Sequence, residues 1–214
     1  TGQQHPPIAA VKHLSPAQLR ADLATRQAQL AFWINVYNAF NLYWMRTVPV
    51  SSVASKKTHF FGQRINVAGQ MMSLNDIEHG ILRRSQSWWG RGYFAKWFPS
   101  SFEKRFRVEK LDPRIHFALN CGANGCPPIR YYTAENIDAE MTLATRGFMQ
   151  TEVRVEAGKT KVSRIFWMYK GDFGGRKGIT KWIADHRPEL VNKLKGFGYF
   201  PYDHSENLDN FVDF

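Results

Sequence analysis

A chain of 214 residues with 43% hydrophobic and 14% aromatic content is long enough to bury one core and falls in the size range of one domain. Its Gly, Pro and charged fractions exclude collagen-like, disordered and fibrous classes, and no apolar run approaches the roughly 18 to 20 residues of a spanning helix; even Leu30 to Met45 is interrupted by Asn35, Asn38 and Asn41. The formal charge of +11 points to something anionic, such as an acidic peptide, a cell-wall polymer, a lipid headgroup surface or nucleic acid, without choosing among them.

Residues 1–14 read as a polar, Pro-containing arm, and 15–214 as one globular domain. Ser15-Pro16 is a helix start, with serine as cap and proline at the first helical position. A second helix over about Gln27 to Arg46 carries Phe32, Trp33, Val36, Tyr37, Phe40, Tyr43 and Trp44 around most of its circumference, as a buried helix does. Its amides need partners, and Asn35 and Asn38 lie close on one face; they either tie the helix to neighbouring backbone or orient a site. Pro49 ends that region. Arg64 to Ser73 has the alternation and central Ala-Gly of a hairpin, and a helix follows, capped by Ser73 or Asn75, with Ile77, Ile81 and Leu82 as its buried stripe.

Residues 85–107 interleave aromatic and basic side chains and read as an insertion, either a ligand platform or a cover over the core. After Asp112-Pro113, the alternation from Arg114 to Asn120 predicts a strand that breaks into a Gly-rich loop at 121–128. A helix is expected over about Thr133 to Gln150 and a hairpin over Thr151 to Arg164, turning at Ala157-Gly158-Lys159. Two short helices split near Pro188, then a terminal segment, complete the chain. This pattern is α+β, with a mixed or mainly antiparallel sheet packed against helices.

Two cysteines make neither a disulfide scaffold nor a complete zinc site. Cys121 and Cys126 with His79 and His116 match no zinc spacing, so neither metal nor cofactor is expected. A bridge between the two cysteines closes a very short ring and stabilises little, though local redox chemistry remains open. Cys121 sits where the predicted strand ends, the usual mount for a nucleophile, and the glycines at 122 and 125 let loop N–H groups lower a thiol pKa or hold an oxyanion. His116 would stand about 16 Å away along an extended strand. His79, in the first turns of its helix after Glu78, is the better base.

The segments Ala31–Ala39, Ser73–Arg83 and Asp112–Gly122 resemble the bacterial and plant family catalogued as domain of unknown function 547, and the likeness spans roughly residues 28 to 210. Plant members resemble the chain at Cys121-Gly122 and carry serine where it has Cys126, so the resemblance favours Cys121. It also matches Glu78-His79, Asn35 and Asn38, while 85–107 matches no family pattern. Distant similarity to papain-like or transglutaminase-like thiol enzymes is an analogy of fold.

These readings converge on a thiol-dependent hydrolase or acyl transferase acting on an amide or peptide bond. Cys121 is its nucleophile, His79 its base, and Glu78 or an asparagine the orienting group; Asn35, Asn38, His116, Asn120 and Gly122 bind or orient. The alternative is a binding domain whose Cys-loop pocket and Trp-rich stretch hold a partner, a membrane surface or an anionic polymer. A small peptide or anionic substrate suits the charge, nucleic acid is the weaker fit, and peripheral membrane or cell-envelope contact is open. Substrate, oligomeric state and compartment are not legible, with periplasm or cell envelope favoured over cytoplasm.

Overall fold

The computed structural model describes residues 10–47, 53–194 and 196–212. The arm expected over 1–14 falls mostly outside these, as does the stop at Pro49. Residues 10–12 are helical, and the buried Val11 accepts a hydrogen bond from the Ala68 N–H at 3.0 Å.

Helix α1 (Pro16–Asp22) begins in a capping box: the Ser15 hydroxyl accepts from the Gln18 N–H, and the Gln18 side chain accepts from the Ser15 N–H. Helix α2 (Arg26–Thr47) then runs through the larger of two apolar clusters, burying Leu30, Trp33, Ile34, Tyr37 and Phe40. Helix α3 (Val53–Gly62) leads into the predicted hairpin, β1 (Ile65–Val67) against β2 (Gln70–Met72). Ala68 and Gly69 turn it with positive φ of 50° and 85°, as a two-residue turn of this hand requires.

The next element, Asp76–Leu82, is wound as a π-helix rather than an ordinary α-helix. Ser73 and Asp76 secure its entry reciprocally, with Ser73 N–H and hydroxyl donating to the carboxylate and the Asp76 N–H donating to Ser73 Oγ. The wide winding shows in the Arg83 N–H reaching the Glu78 carbonyl at 2.7 Å. All residues from Ile77 to Arg83 are buried.

Residues 85–107 fold as a tongue, closed by a bridge between Gln86 and Ala95, and end in helix α4 (Ser101–Phe106), whose Phe106 enters the core. The strand expected over Arg114 to Asn120 is instead a 3-10 helix, Pro113–Phe117. Asp112 caps it through the Arg114 N–H and proline occupies its first turn, which are helix-start signals that outweigh alternation. The alternation misled because residues 115–120 are buried on both sides, polar positions included.

Helix α5 begins later than expected (Ile137–Glu152) and runs into β3 (Val153–Glu156), which pairs antiparallel with β4 (Lys159–Ser163) through the Ala157-Gly158 turn. Helices α6 (Ile165–Met168) and α7 (Gly175–His186) and a 3-10 turn at Pro188–Lys193 follow. Strand β5 (Gly198–Phe200), not foreseen, adds parallel to β4 and makes the sheet mixed. The architecture is therefore α+β: helices packed around two small sheets, with a second apolar cluster of Phe117, Phe148, Phe166 and Phe173 under the mixed one.

Both helix amides turn out to hold backbone. Asn38 donates to the Ala118 carbonyl at 3.0 Å and accepts from the Asn120 N–H at 2.9 Å; Asn35 pairs the same way with both backbone groups of Tyr132, at 2.7 and 3.0 Å. One helix thus grips the chain on either side of loop 121–128. Because Ala118 and Asn120 are buried, Asn38→Ala strands two polar groups; we expect a loss of about 2 to 4 kcal/mol in denaturant unfolding, against a smaller loss for Asn35→Ala, whose partner carbonyl lies at a half-buried pairing.

Candidate functional site: a paired-thiol loop on a buried charge cluster

The loop is tied inward by its own first residue. Asn120 donates to the Pro127 carbonyl at 2.8 Å and accepts from the Gly122 N–H at 2.7 Å, closing residues 120–127 into a ring of hydrogen bonds. It is tied outward by the terminal segment: the Asn124 N–H donates to the Ser205 carbonyl, the Gly125 N–H to the Asp203 carbonyl, and the Asn207 N–H to the Gly122 carbonyl. Gly122 has φ of +80°, and a Cβ at Gly125 would come within 3.0 Å of the Tyr202 ring. The two glycines therefore serve a left-handed turn and a close approach of Tyr202. The N–H groups of Gly122, Asn124, Gly125 and Cys126 are spent on Asn120, Ser205, Asp203 and the Ala123 carbonyl, which leaves those of Cys121 and Ala123 for the sulfurs.

This packing brings the two sulfurs together. Cys121 Sγ and Cys126 Sγ lie 3.0 Å apart, the Cys121 N–H points at Cys126 Sγ at 3.1 Å, and the Tyr202 hydroxyl stands 3.0 Å from Cys126 Sγ and 3.9 Å from Cys121 Sγ. Cys121 is exposed and Cys126 buried, and both are free thiols. Burial opposes ionisation of Cys126, but hydrogen bonds from the Cys121 thiol, the Tyr202 hydroxyl and loop backbone outweigh it and bring the thiol down to about 7. Cys121 moves the other way, well above the ordinary thiol value, through its hydrogen bond to Cys126, then burial of the sulfur and the neighbouring charge. Since the residue itself is exposed, the adjacent sulfur rather than burial carries that shift. The pair loses its first proton more readily than an isolated cysteine does and shares the one that remains. Burial, then the thiol charges, raise Tyr202, which stays a hydrogen-bond donor.

Behind the loop lies a dry charge cluster. Arg83, with no exposed surface, clamps Asp172 through Nε at 2.6 Å and Nη2 at 3.0 Å. His116 Nε2 donates to the same carboxylate at 2.8 Å, and its ring stacks on Tyr169 at 3.8 Å. The hydroxyls of Tyr169 and Tyr37 donate to the two oxygens of Glu78 at 2.7 and 3.2 Å. Arg83 Nη1 also donates to His79 Nδ1 at 2.6 Å, so the ring is neutral with its proton on Nε2. Charge on Cys121 raises the pKa of both tyrosines, after burial and Glu78, which puts the cluster within electrostatic reach of the thiol.

The expected site residues thus divide into a thiol loop (Asn120, Cys121, Gly122), a clamp on it (Asn35, Asn38) and a buried cluster beside it (Glu78, His79, His116). Among the described residues no hydrogen bond joins Cys121 to His79 or His116; the polar partners of its sulfur are Cys126, Tyr202 and the Ala123 backbone. Sequence reasoning set Cys126 aside and did not consider Tyr202, Arg83 or Asp172 as parts of the site. Arg83 stands four residues after His79, the spacing at which two helical side chains meet, and that signal was available. The third helix amide, Asn41, meets His59 Nε2 at 3.0 Å away from this site. Among the described residues no three His, Cys, Asp or Glu side chains converge as a metal set.

An α+β fold that carries its thiols on a strapped loop over a buried Arg-Asp-His-Glu cluster defines the class. The chain belongs to the family described as "Protein of unknown function, DUF547", whose model matches residues 21–149. That span holds the clamp, the π-helix and the thiol loop, while Asp172 and Tyr202 lie beyond it. No curated protein and no solved structure matches the chain.

The cluster makes stability depend on pH with a definite sign. Burial, partly offset by Glu78 and reinforced by Arg83, lowers His79 from 6.5 to about 4. Between those values the unfolded chain binds the extra proton, so this contribution is complete above pH 6.5 and is lost as pH falls towards 4, by about 3 kcal/mol. Burial alone would raise Asp172, but hydrogen bonds from His116 and Arg83 outweigh it and hold the carboxyl at about 2, which adds a loss of about 2 kcal/mol only below its ordinary 3.8. Thermal melts of the wild type should fall steadily from pH 6.5 to 4.5, and His79→Gln should flatten that slope; an unchanged slope would assign the acid lability elsewhere.

Proposed function

We propose that the chain is a thiol protein whose chemistry is thiol–disulfide exchange at Cys121 and Cys126. The observation that carries this reading is the 3.0 Å separation of two free sulfurs, one exposed and one buried, in a loop held on both sides. In the singly ionised pair the proton of Cys121 passes to the Cys126 thiolate as Cys121 attacks a disulfide of a peptide or small molecule, forming a mixed disulfide and expelling one thiolate. Cys126 gives that proton to the expelled thiolate, then attacks the Cys121 sulfur, closes the internal bond and releases the second substrate half as a thiolate. The dithiol gives up two electrons and the substrate gains them. The short ring that results is reducible again, since so small a loop adds little to the stability of the oxidised form.

Tyr202 supports the cycle by holding a donor on the sulfur that carries the charge, and the burial of Cys126 protects it while Cys121 meets the substrate. A cavity of about 450 Å³ opens beside Cys126, lined by Phe117, Arg130, Gly147 and Glu152 among others, and offers room for a peptide segment next to the pair.

Hydrolysis or acyl transfer at an amide or peptide bond, with Cys121 attacking, is the second reading. What favours it is that Tyr169, which hydrogen-bonds Glu78, lies within electrostatic reach of the Cys121 thiol. Against it, the His79 lone pair faces Arg83 instead of a sulfur, and the amides of Gly122, Asn124, Gly125 and Cys126 have other partners.

The deciding measurement is a redox titration in dithiothreitol buffers, read by alkylation and mass spectrometry. Exchange chemistry gives a single two-electron transition in which both thiols disappear together, and Cys126→Ser abolishes it while leaving Cys121 alkylatable. If both cysteines alkylate independently at every potential, the reading fails. If, in addition, an acyl-ester substrate is turned over and His79→Ala stops it, the hydrolase reading replaces it.

A further inference from the structure

The tongue at 85–107 is no part of the thiol loop, and only its closing helix, through Phe102 and Phe106, reaches the core. Six of its aromatic side chains, Trp88, Trp89, Tyr93, Phe94, Trp97 and Phe98, are each more than half exposed, and the last two keep 87% and 91% of their surface in solvent. Isolated exposed aromatics are ordinary, but six within eleven positions form a surface that water disfavours unless something covers it. The tongue is nevertheless built rather than loose: the Ser87 hydroxyl and N–H both donate to, or towards, the Phe94 carbonyl at 2.7 and 2.8 Å, and the Lys96 N–H donates to the Ser85 carbonyl at 2.7 Å. Its root is fixed by Arg107, which reaches Ser85 Oγ at 2.8 Å. The aromatics are therefore held outside by a structured backbone.

Charge narrows what can cover them. The exposed cations Arg84, Arg91, Lys104 and Arg105 stand before, among and after the aromatics in sequence, with Arg91 over the Trp167 ring at 4.3 Å, whereas the one acid from 84 to 107, Glu103, is buried and paired with Lys96 at 3.3 Å. Over the whole chain the balance is +11. Exposed aromatic rings and exposed cations in one segment match the polarity profile of a bilayer surface, in which rings enter the headgroup and upper acyl layer while cations meet lipid phosphates. Single-stranded nucleic acid fits less well, because it needs free ring faces along a groove, and Trp89 and Phe94 already stack on each other at 5.4 Å. Among the described residues no helix is long and apolar enough to cross a membrane, so attachment through this tongue is peripheral.

We propose that the tongue is a lipid-docking element, with Trp97 and Phe98 as its inserting tip and Arg84, Arg91, Lys104 and Arg105 as its contacts to anionic headgroups. The proposal is independent of the chemistry at the thiol pair.

The test is co-sedimentation of the full chain with phosphatidylcholine vesicles made with or without phosphatidylglycerol. The expected result is binding that needs the anionic lipid, weakens with added salt, and drops at least about ten-fold in the double variant Trp97→Ala, Phe98→Ala. Both side chains are almost fully exposed, so that variant should keep the wild-type melting temperature. Lys104→Glu with Arg105→Glu should reduce the preference for anionic vesicles while leaving the tip in place. Absence of binding to either vesicle, or equal binding by the tip variant, overturns the proposal. So does a tip variant that leaves vesicle binding unchanged and instead dissociates a dimer in light scattering, or loses affinity for a single-stranded oligonucleotide.

Discussion

A guanidinium with no access to water has to be matched by charge before the elements around it can settle, because the desolvation of Arg83 is otherwise far larger than any packing gain nearby. Asp172 supplies the match, in a two-point clamp that joins residues 89 positions apart. Asp172 also accepts from His116, and Arg83 also donates to His79, so one ion pair fixes the π-helix, the 3-10 helix before the thiol loop and the turn before α7. Tyr169 seals the arrangement: its ring lies between His116 and the guanidinium, at 3.8 and 4.8 Å, while its hydroxyl satisfies Glu78. A π winding suits this demand, since it turns an unbroken run of residues inward and lets Glu78, His79 and Arg83 share one buried volume.

From that base the thiol loop is built by amides instead of charges. Asn38 holds its entrance, Asn120 its closure and Asn35 its exit, and the terminal segment straps it from outside. Such a loop has few ways to rearrange. Cys121 and Cys126 are thus kept at contact distance by backbone hydrogen bonds that do not depend on the state of either sulfur, which allows a thiol pair and a bonded pair to occupy nearly the same frame.

Much of the framework was legible. The Ser15-Pro16 start, the all-round apolar helix and the Ala-Gly and Ala-Gly-Lys turns are local signals, and they place elements where the structure has them. Arg114 to Asn120 was misread because alternation reports a strand only where one face meets water, and this segment is buried throughout. Strand β5 was missed because three residues joining a sheet in parallel carry no periodicity of their own. The thiol loop itself was found from its glycines and its cysteines, but its partners were not. Asp172 and Tyr202 lie 51 and 81 positions from Cys121, and although both fall in segments that fit the family resemblance, only the tertiary fold joins them to the site. The family resemblance singled out Cys121; it is geometry that makes Cys126 half of the same group.

That coupling changes how either cysteine should be regarded. The charge on Cys126 is stabilised in part by the Cys121 thiol, and the reluctance of Cys121 to ionise comes first from Cys126, so neither sulfur has the acidity it would have alone. A site with a single thiol at position 121 would lack the neighbour that takes up its proton and, with His79 turned to Arg83, would have no other base in contact among the described residues. The second sulfur supplies at once the proton acceptor, the charge and the partner for an internal bond. These three properties follow from one 3.0 Å contact, and they are the properties exchange chemistry requires.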